Sequence, residues 1–389
     1  MSLPTTAHRS GPLVGVRALE LGGIGPGPFC GMVLGDLGAE VIRVDRAADA
    51  GSAPRHPVLH RGRRSLALDL KRSAGVEVAL RLVGGSDALV EGFRPGVAER
   101  LGLGPGACLA HNPRLVYGRM TGWGQEGPLA QEPGHDLNYI GLAGALGAIG
   151  PADGDPVVPL NLVGDMGGGG LLLATGILAG LLHARQTGEG QVVDAAMTDG
   201  TAIMLAIVLD LVSQGLWEDR RGVNLLDGGA PFYRTYRCAD SGHIAVASLE
   251  PELYTALVRV LGLADDPTFS SQHDRAAWPP MAARLSEIFG TRSRDEWAAV
   301  FAGEGAGVTA VLRLGEAPAH PHNVARGTYA TDAQGVVQPG VAPRLLATPG
   351  AVARPAPRIG EDTEAILAEA GYAPAAIAEL RREGVVGTP

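Results

Sequence analysis

The first half of the chain alternates short aliphatic, β-branched runs with longer apolar runs of helical spacing. VRALELGG, beginning at Val16, predicts a strand that ends in a glycine loop. PFCGMVLGDLGA predicts a helix, and EVIRVDR a second strand. RSLALDL, DALVEGF and RLVYGRMTG are further extended runs, with a helix over KRSAGVEVALRLVGGS between the first two. Such alternation predicts a parallel sheet covered by helices on both faces, with ligands at the carboxyl ends of the strands. After Gln191 the pattern changes: VVDAAMTDGTAIMLAIVLDLVSQGL reads as one long apolar helix or two. A Gly- and Asp-rich loop follows, then a hairpin turning at Asp240-Ser241-Gly242. Amphipathic helices are predicted near Glu252 to Leu263 and Met281 to Phe301, and two more around Gly371.

These shifts set the expected organisation: an α/β large domain over 1–200, a linker helix over 201–222, and a small α+β domain over 223–315. A second linker over 316–335 and a C-terminal segment over 336–389 complete it. A chain of 389 residues, 46% hydrophobic and 19% charged, has ample core for two domains. A net charge of −9 and the lack of a long Lys/Arg block argue against a nucleic-acid partner. Three scattered cysteines, Cys30, Cys108 and Cys238, fit a reducing compartment and give no metal-ligand spacing. The N-terminus has no apolar signal region, and the uncharged run Met166 to Leu182 is short for a span and rich in glycine. A buried helix, no membrane partner and a cytoplasmic enzyme are the expectations.

Candidate chemistry lies in five places. GGIGPGPFCG resembles a dinucleotide loop but places Cys30 or Pro28 where the third glycine belongs, so a strand-to-helix turn is preferred. Arg43, Arg55, Arg61, Arg63, Arg64, Lys71, Arg94 and Arg100 fall at or near predicted loop ends, and 52–68 contains no acid. That pattern suits either a small polyanion with several phosphates or an ordinary basic surface. His135 and Asp136 stand before an apolar helix, where Asp136 is either a functional group or an N-cap. Asp165, in NLVGDMGGGG, is either a helix cap or a carboxyl among apolar neighbours, ready to trade protons. The glycines after it would expose backbone N–H groups for an oxyanion. Glu250 ends a predicted strand before Pro251 and alone reads as a plain strand-end acid.

The ordered segments LGDLGAEVIRVD, RGRRSLALDLK, EGFRPGVAERLGLGP, GRMTGWGQEGPLA, GHDLNYIG, PLNLVGDMGGGG and LLDGGAPFY resemble the class III CoA-transferase family from about Leu13 to the mid-300s. The resemblance implies a Rossmann-like large domain, a smaller domain joined by two linkers, and an interlocked homodimer. In it the active site lies between the large domain of one chain and the small domain of the other. It implies His135 and Asp165 as two acid/bases, with Glu250 supporting His135. It further implies a CoA site at Arg43, Arg64, Gly92, Arg94 and Arg100, with Asp136 and Tyr139 in the acyl-CoA-contacting stretch. The activity expected is interconversion of (2R)- and (2S)-2-methylacyl-CoA thioesters by 1,1-proton transfer. CoA is then part of the substrate, and no separate cofactor is expected. The alternatives are a CoA transferase that uses Asp165 as nucleophile and a noncatalytic CoA binder. Met120, Met166, Met197 and Met204 are candidates for an apolar acyl platform, with helix-core packing the preferred role for Met197 and Met204.

Overall fold

A computed structural model describes residues 9–389. The chain forms two compact units: one runs to Ala143 and adds Leu160–Met204 and Pro321–Pro389, the other comprises Gly144–Pro159 and Leu205–His320. Composition assigned 144–159 to the large domain, but this segment groups with the second unit. There the Arg221 guanidinium donates to the Gly154 carbonyl, and Gly222 lies so close to Ala152 that a Cβ would meet its nitrogen at 2.4 Å. Such long-range contacts leave no mark on composition.

In the first unit, β1 (Arg17–Leu21), β2 (Glu40–Asp45), β3 (Arg63–Leu68), β4 (Ala88–Glu91), β5 (Val116–Thr121) and β6 (Gln191–Ala196) pair in parallel in the order 3-2-1-4-5-6. Helices α1 (Pro26–Asp36), α2 (Ser73–Gly84), α3 (Val97–Arg100), α4 (Pro105–His111) and α5 (Asp136–Leu142) follow or connect these strands. The order reverses between β1 and β4, so the loops Gly22–Gly25 and Gly92–Gly96 leave neighbouring strands on opposite sides and open a crevice. Sequence pattern placed Val192–Ala196 at the start of a helix. It is instead part of a strand, in register with β5 from Val116↔Gln191 to Thr121↔Ala196. Its β-branched Val192 and Val193 suit an edge position whose outer face is open.

The short α6 (Ala145–Ala148) lies in the second unit, and a π-helix, Leu162–Leu171, then runs directly into α7 (Leu172–Thr187) in the first. By length and composition this continuous helix could cross a bilayer. It packs on β5 and β6 and along α1 and α8 (Met197–Met204). The expected burial holds for one face: Leu173 and Ile177 are fully buried, whereas Leu171 and Leu182 are exposed. The glycine run is a packing surface. A Cβ on Gly170 would sit 2.7 Å from the Pro26 carbonyl oxygen, and one on Gly200 would strike the Gly168 backbone.

The C-terminal part adds α14 (Thr363–Glu369), α15 (Pro374–Arg382) and β12 (Val386–Gly387), which pairs antiparallel with β3. Before them come α13 (Pro321–Arg326) and the small ladder of β10 (Tyr329–Thr331) with β11 (Val337–Pro339). The second unit holds α9 (Ala206–Ser213) and an antiparallel sheet of β7 (Tyr233–Arg237), β8 (His243–Ala247) and β9 (Val308–Val311). Against it pack α10 (Pro251–Val260), α11 (Trp278–Phe289) and α12 (Arg294–Phe301), around Phe232, Trp278, Phe289 and Trp297. The predicted hairpin turns where expected, with Ser241 at φ 65° and the Gly242 N–H donating to Asp240. The predicted helix over 281–301 is broken at Gly290, and α12 restarts from a Ser293–Glu296 capping box.

One buried ion cluster fixes the crevice end of the sheet. Glu20, 1% exposed on β1, receives Arg43 from β2 and Arg63 from β3. Burial alone would raise its pKa; the charges of Arg63 and Arg43 outweigh that and hold the carboxyl below its ordinary range. Arg63→Leu should therefore lower unfolding free energy by about 3 kcal/mol in chemical denaturation. With the folded pKa depressed, the Glu20 contribution is present above the ordinary carboxylate pKa and fades as pH falls below it.

Candidate active site

A cavity of about 830 Å³ opens at the crevice between the β1 and β4 loops and is lined by first-unit residues alone. Its lining includes the loops from Gly22 to Pro28 and from Gly92 to Pro95, rich in glycine and proline. Arg43 holds the first of these loops from below: its guanidinium donates to the carbonyls of Gly22 and Gly23, both at 3.2 Å, and to Asp45 at 2.8 Å. Gly25 adopts φ +65°, a left-handed conformation suited to glycine, and a Cβ there would lie 3.3 Å from Asp165 Oδ2.

His135 and Asp165 both line this cavity. His135 is exposed and is the N-cap of α5; its backbone N–H donates to Asn138 Oδ1 at 3.0 Å. Asp165 lies in the first turn of the π-helix, half-buried, and accepts from Asn161 Nδ2 at 2.9 Å. Burial pushes the Asp165 carboxyl above its ordinary range. The hydrogen bond from Asn161 opposes this, the negative charge of Asp136 reinforces it, and His135 opposes it again.

Asp136 is buried beneath the pair, and its Oδ2 accepts the Asp165 backbone N–H at 2.7 Å. The sequence reading offered N–H groups near Asp165 to an oxyanion. The N–H of Asp165 is taken by Asp136, and the glycines after it are packed against α1 and α8. Tyr139 is buried at the cavity wall, its hydroxyl donating to the Gly134 carbonyl and its ring edge-on to Trp123 at 4.7 Å. Gly122 permits this contact, since a Cβ there would overlap the Tyr139 ring.

The arginines do not gather here. Gly92 and Arg94 line the cavity, and Arg94 is exposed with no ion pair among the described residues. Arg43 is spent on Glu20, Asp45 and the glycine loop. Arg64 pairs with Glu40 at 2.8 Å and Glu369 at 2.7 Å, outside the cavity lining. Arg100 is exposed at the end of α3, also outside it. Glu250 belongs to the second unit, exposed at the N-cap of α10. Met120, Met166 and Met197 line the cavity, and Met197 also sits in the core; Met204 instead abuts Gly167. Sequence reasoning missed Gly25, Asn161 and Trp123. Only Asn161 carried a signal, its four-residue spacing from Asp165 on one helix face.

The profile of CoA-transferase family III matches residues 13–363. The chain belongs to this family. Alpha-methylacyl-CoA racemases of Mus musculus and Homo sapiens are each 44% identical to it over 375 residues, covering 96% of this chain and 97% of theirs. Succinyl-CoA–D-citramalate CoA-transferase of Chloroflexus aurantiacus is 31% identical, over 92% of this chain and 94% of its own. The crystal structure of a CaiB/BaiF family protein from Brucella suis superposes with a TM-score of 0.80 at 27% identity, covering 93% of this chain and all of the other. The mixed α/β fold with a large, mainly parallel sheet is therefore that of the family.

The raised Asp165 pKa has a direct readout. In a carboxyl NMR titration, the resonance lost in Asp165→Asn should move at a pH above the ordinary aspartate value of 3.8. Movement at or below that value would contradict the environment described.

Proposed function

We propose that the protein is a racemase of 2-methylacyl-CoA thioesters. The observation that carries this reading is the placement of His135 and Asp165 on one cavity, a base of one chemical type and an acid of another. The 44% identity to enzymes named alpha-methylacyl-CoA racemase supports it.

The α-hydrogen of a thioester is a very weak acid, so a base and a means of holding enolate charge are both required. In one direction unprotonated His135 takes the α-proton, the C–H electron pair moves into an enolate, and Asp165 delivers its carboxyl proton to the opposite face. His135 is left protonated and Asp165 ionised, the states needed for the reverse direction. The apolar Met120, Met166 and Met197 give the acyl chain an adaptable surface. The N–H of Asp136, first residue of α5, is without an acceptor among the described residues and is suited to the thioester oxygen. Arg94, unpaired at the cavity, supplies a cation for CoA phosphate, and no separate cofactor enters.

The proposed assembly is a homodimer in which Glu250 of the partner subunit orients His135. Exposed Ile203, Met204, Ile207 and Leu209 support a subunit contact. The proposed setting is the cytoplasm, with no membrane or nucleic-acid partner.

Incubation with a 2-methylacyl-CoA in D2O, without any carboxylate acceptor, should place deuterium at the α-carbon. Asp165→Asn and His135→Ala should each slow racemisation by about 10³-fold. Hydroxylamine capture of an acyl group on Asp165 with no exchange would instead establish the transferase chemistry. Arg94→Ala should raise KM, more so at low salt than at high salt. Glu250→Ala and His135→Ala chains, each poorly active alone, should recover activity when co-expressed as mixed dimers; no recovery would place both groups in one chain.

A further inference from the structure

Asp136 is a buried carboxylate, 6% exposed, in a setting without a compensating cation: no lysine or arginine pairs with it among the described residues. Its Oδ2 accepts the Asp165 N–H at 2.7 Å, and its Oδ1 is fully buried without a partner. Gly164 is what permits this approach, because a Cβ there would lie 2.7 Å from Asp136 Oδ2 and 3.1 Å from Ile140. The side chain therefore reaches across from α5 and clamps the first turn of the π-helix at the residue that carries the second carboxyl.

The negative charge of Asp136 acts on the Asp165 carboxyl and raises its pKa, and no lysine or arginine pairs with either group among the described residues. Asp136 stands at the first position of α5, and its Oδ2 accepts the Asp165 backbone N–H. Asp165 faces the cavity and can exchange a proton with solvent or substrate. The other polar groups around Asp165 are Asn161 on its own helix and His135 and Tyr139 on α5, with Arg94 acting on Tyr139. Behind Asp165, the glycines Gly168, Gly169 and Gly170 meet Pro26 and Phe29 of α1 and Met197 and the neutral Thr201 of α8. His135 alone among these opposes the effect of Asp136 by charge on Asp165.

We infer that Asp136 is a positioning residue for Asp165: its buried carboxyl pins the Asp165 main chain and sets a charge beside the carboxyl that must hold a proton. This rests on the racemase reading for its purpose, since a proton donor must hold its proton until the enolate forms. The arrangement itself is testable without turnover.

Infrared difference spectra between wild type and each variant, titrated from about pH 4 to about 8, report protonated carboxyl groups. A protonated-carboxyl C=O band present in wild type should vanish in Asp165→Asn, and in Asp136→Asn it should disappear at lower pH than in wild type. A band that survives in Asp165→Asn and is lost from the outset in Asp136→Asn would reverse the assignment and overturn the inference. So would the absence of any such band in wild type over the titrated range. In turnover, Asp136→Asn keeps an acceptor oxygen but loses the charge. Its rate limb for the direction in which Asp165 donates should move acidic by about one pH unit, with KM changed less than kcat. A rate loss with an unmoved limb would leave Asp136 a purely structural residue and overturn the proposal. Gly164→Ala, which changes no charge, should loosen the clamp and lower kcat; full activity in that variant would also count against it. If no α-deuterium exchange were found at all, the racemase reading would fail while the infrared result still decided the proton's place.

Discussion

Two guanidinium groups meeting on the carboxylate of Glu20 hold the crevice end of the sheet in one shape. Arg43 and Arg63 come from β2 and β3, and between them they also bind the carbonyls of Gly22, Gly23 and Pro28. A loop of glycines and prolines has few side chains with which to fix itself. Here its carbonyls are fixed from below by charged donors that are themselves neutralised by a buried acid. Gly31 gives Glu20 its room, since a Cβ there would collide with the carboxylate. The glycine- and proline-rich loop that lines the cavity is thus held by a cluster that lies outside the lining.

This cluster also explains where sequence reading succeeded and where it did not. Strands β1 to β5 were legible because each is a short aliphatic run with turn residues at its ends. β6 was not, because VVDAA continues without a break into an apolar helix, and only its pairing with β5 separates the two. The cavity-lining His135, Asp165, Gly92, Arg94 and Tyr139 were recognisable from local motifs. The absence of acids between residues 52 and 68 does not leave the arginines near it unpaired: Arg43, Arg61, Arg63 and Arg64 all meet acids within the chain. Their acids come from elsewhere in the chain: Glu20 and Asp36 from β1 and α1, and Glu40 and Glu369 from β2 and α14. Local charge pattern cannot see a partner 305 residues away.

The glycines of NLVGDMGGGG carry a similar lesson. They suggested exposed backbone at a binding site. In the structure the wide π turn carries Asp165 at its start, while the following glycines let α1 and α8 approach to backbone contact. The same sequence feature therefore sets the depth of the carboxyl: close packing behind it removes water, and burial is the largest influence raising its pKa.

The far edge of the sheet has a consequence for biosynthesis. β3 is complete by Leu68, yet the strand that covers its open edge is Val386–Gly387. Arg64 and Ser65 likewise wait for Glu369 and Asp362. At about 5–20 residues per second of translation, that edge stays bare for tens of seconds on the ribosome, with its N–H and C=O groups open to a stray strand. The nascent chain must pass this interval before Val386 and Gly387 seal the sheet.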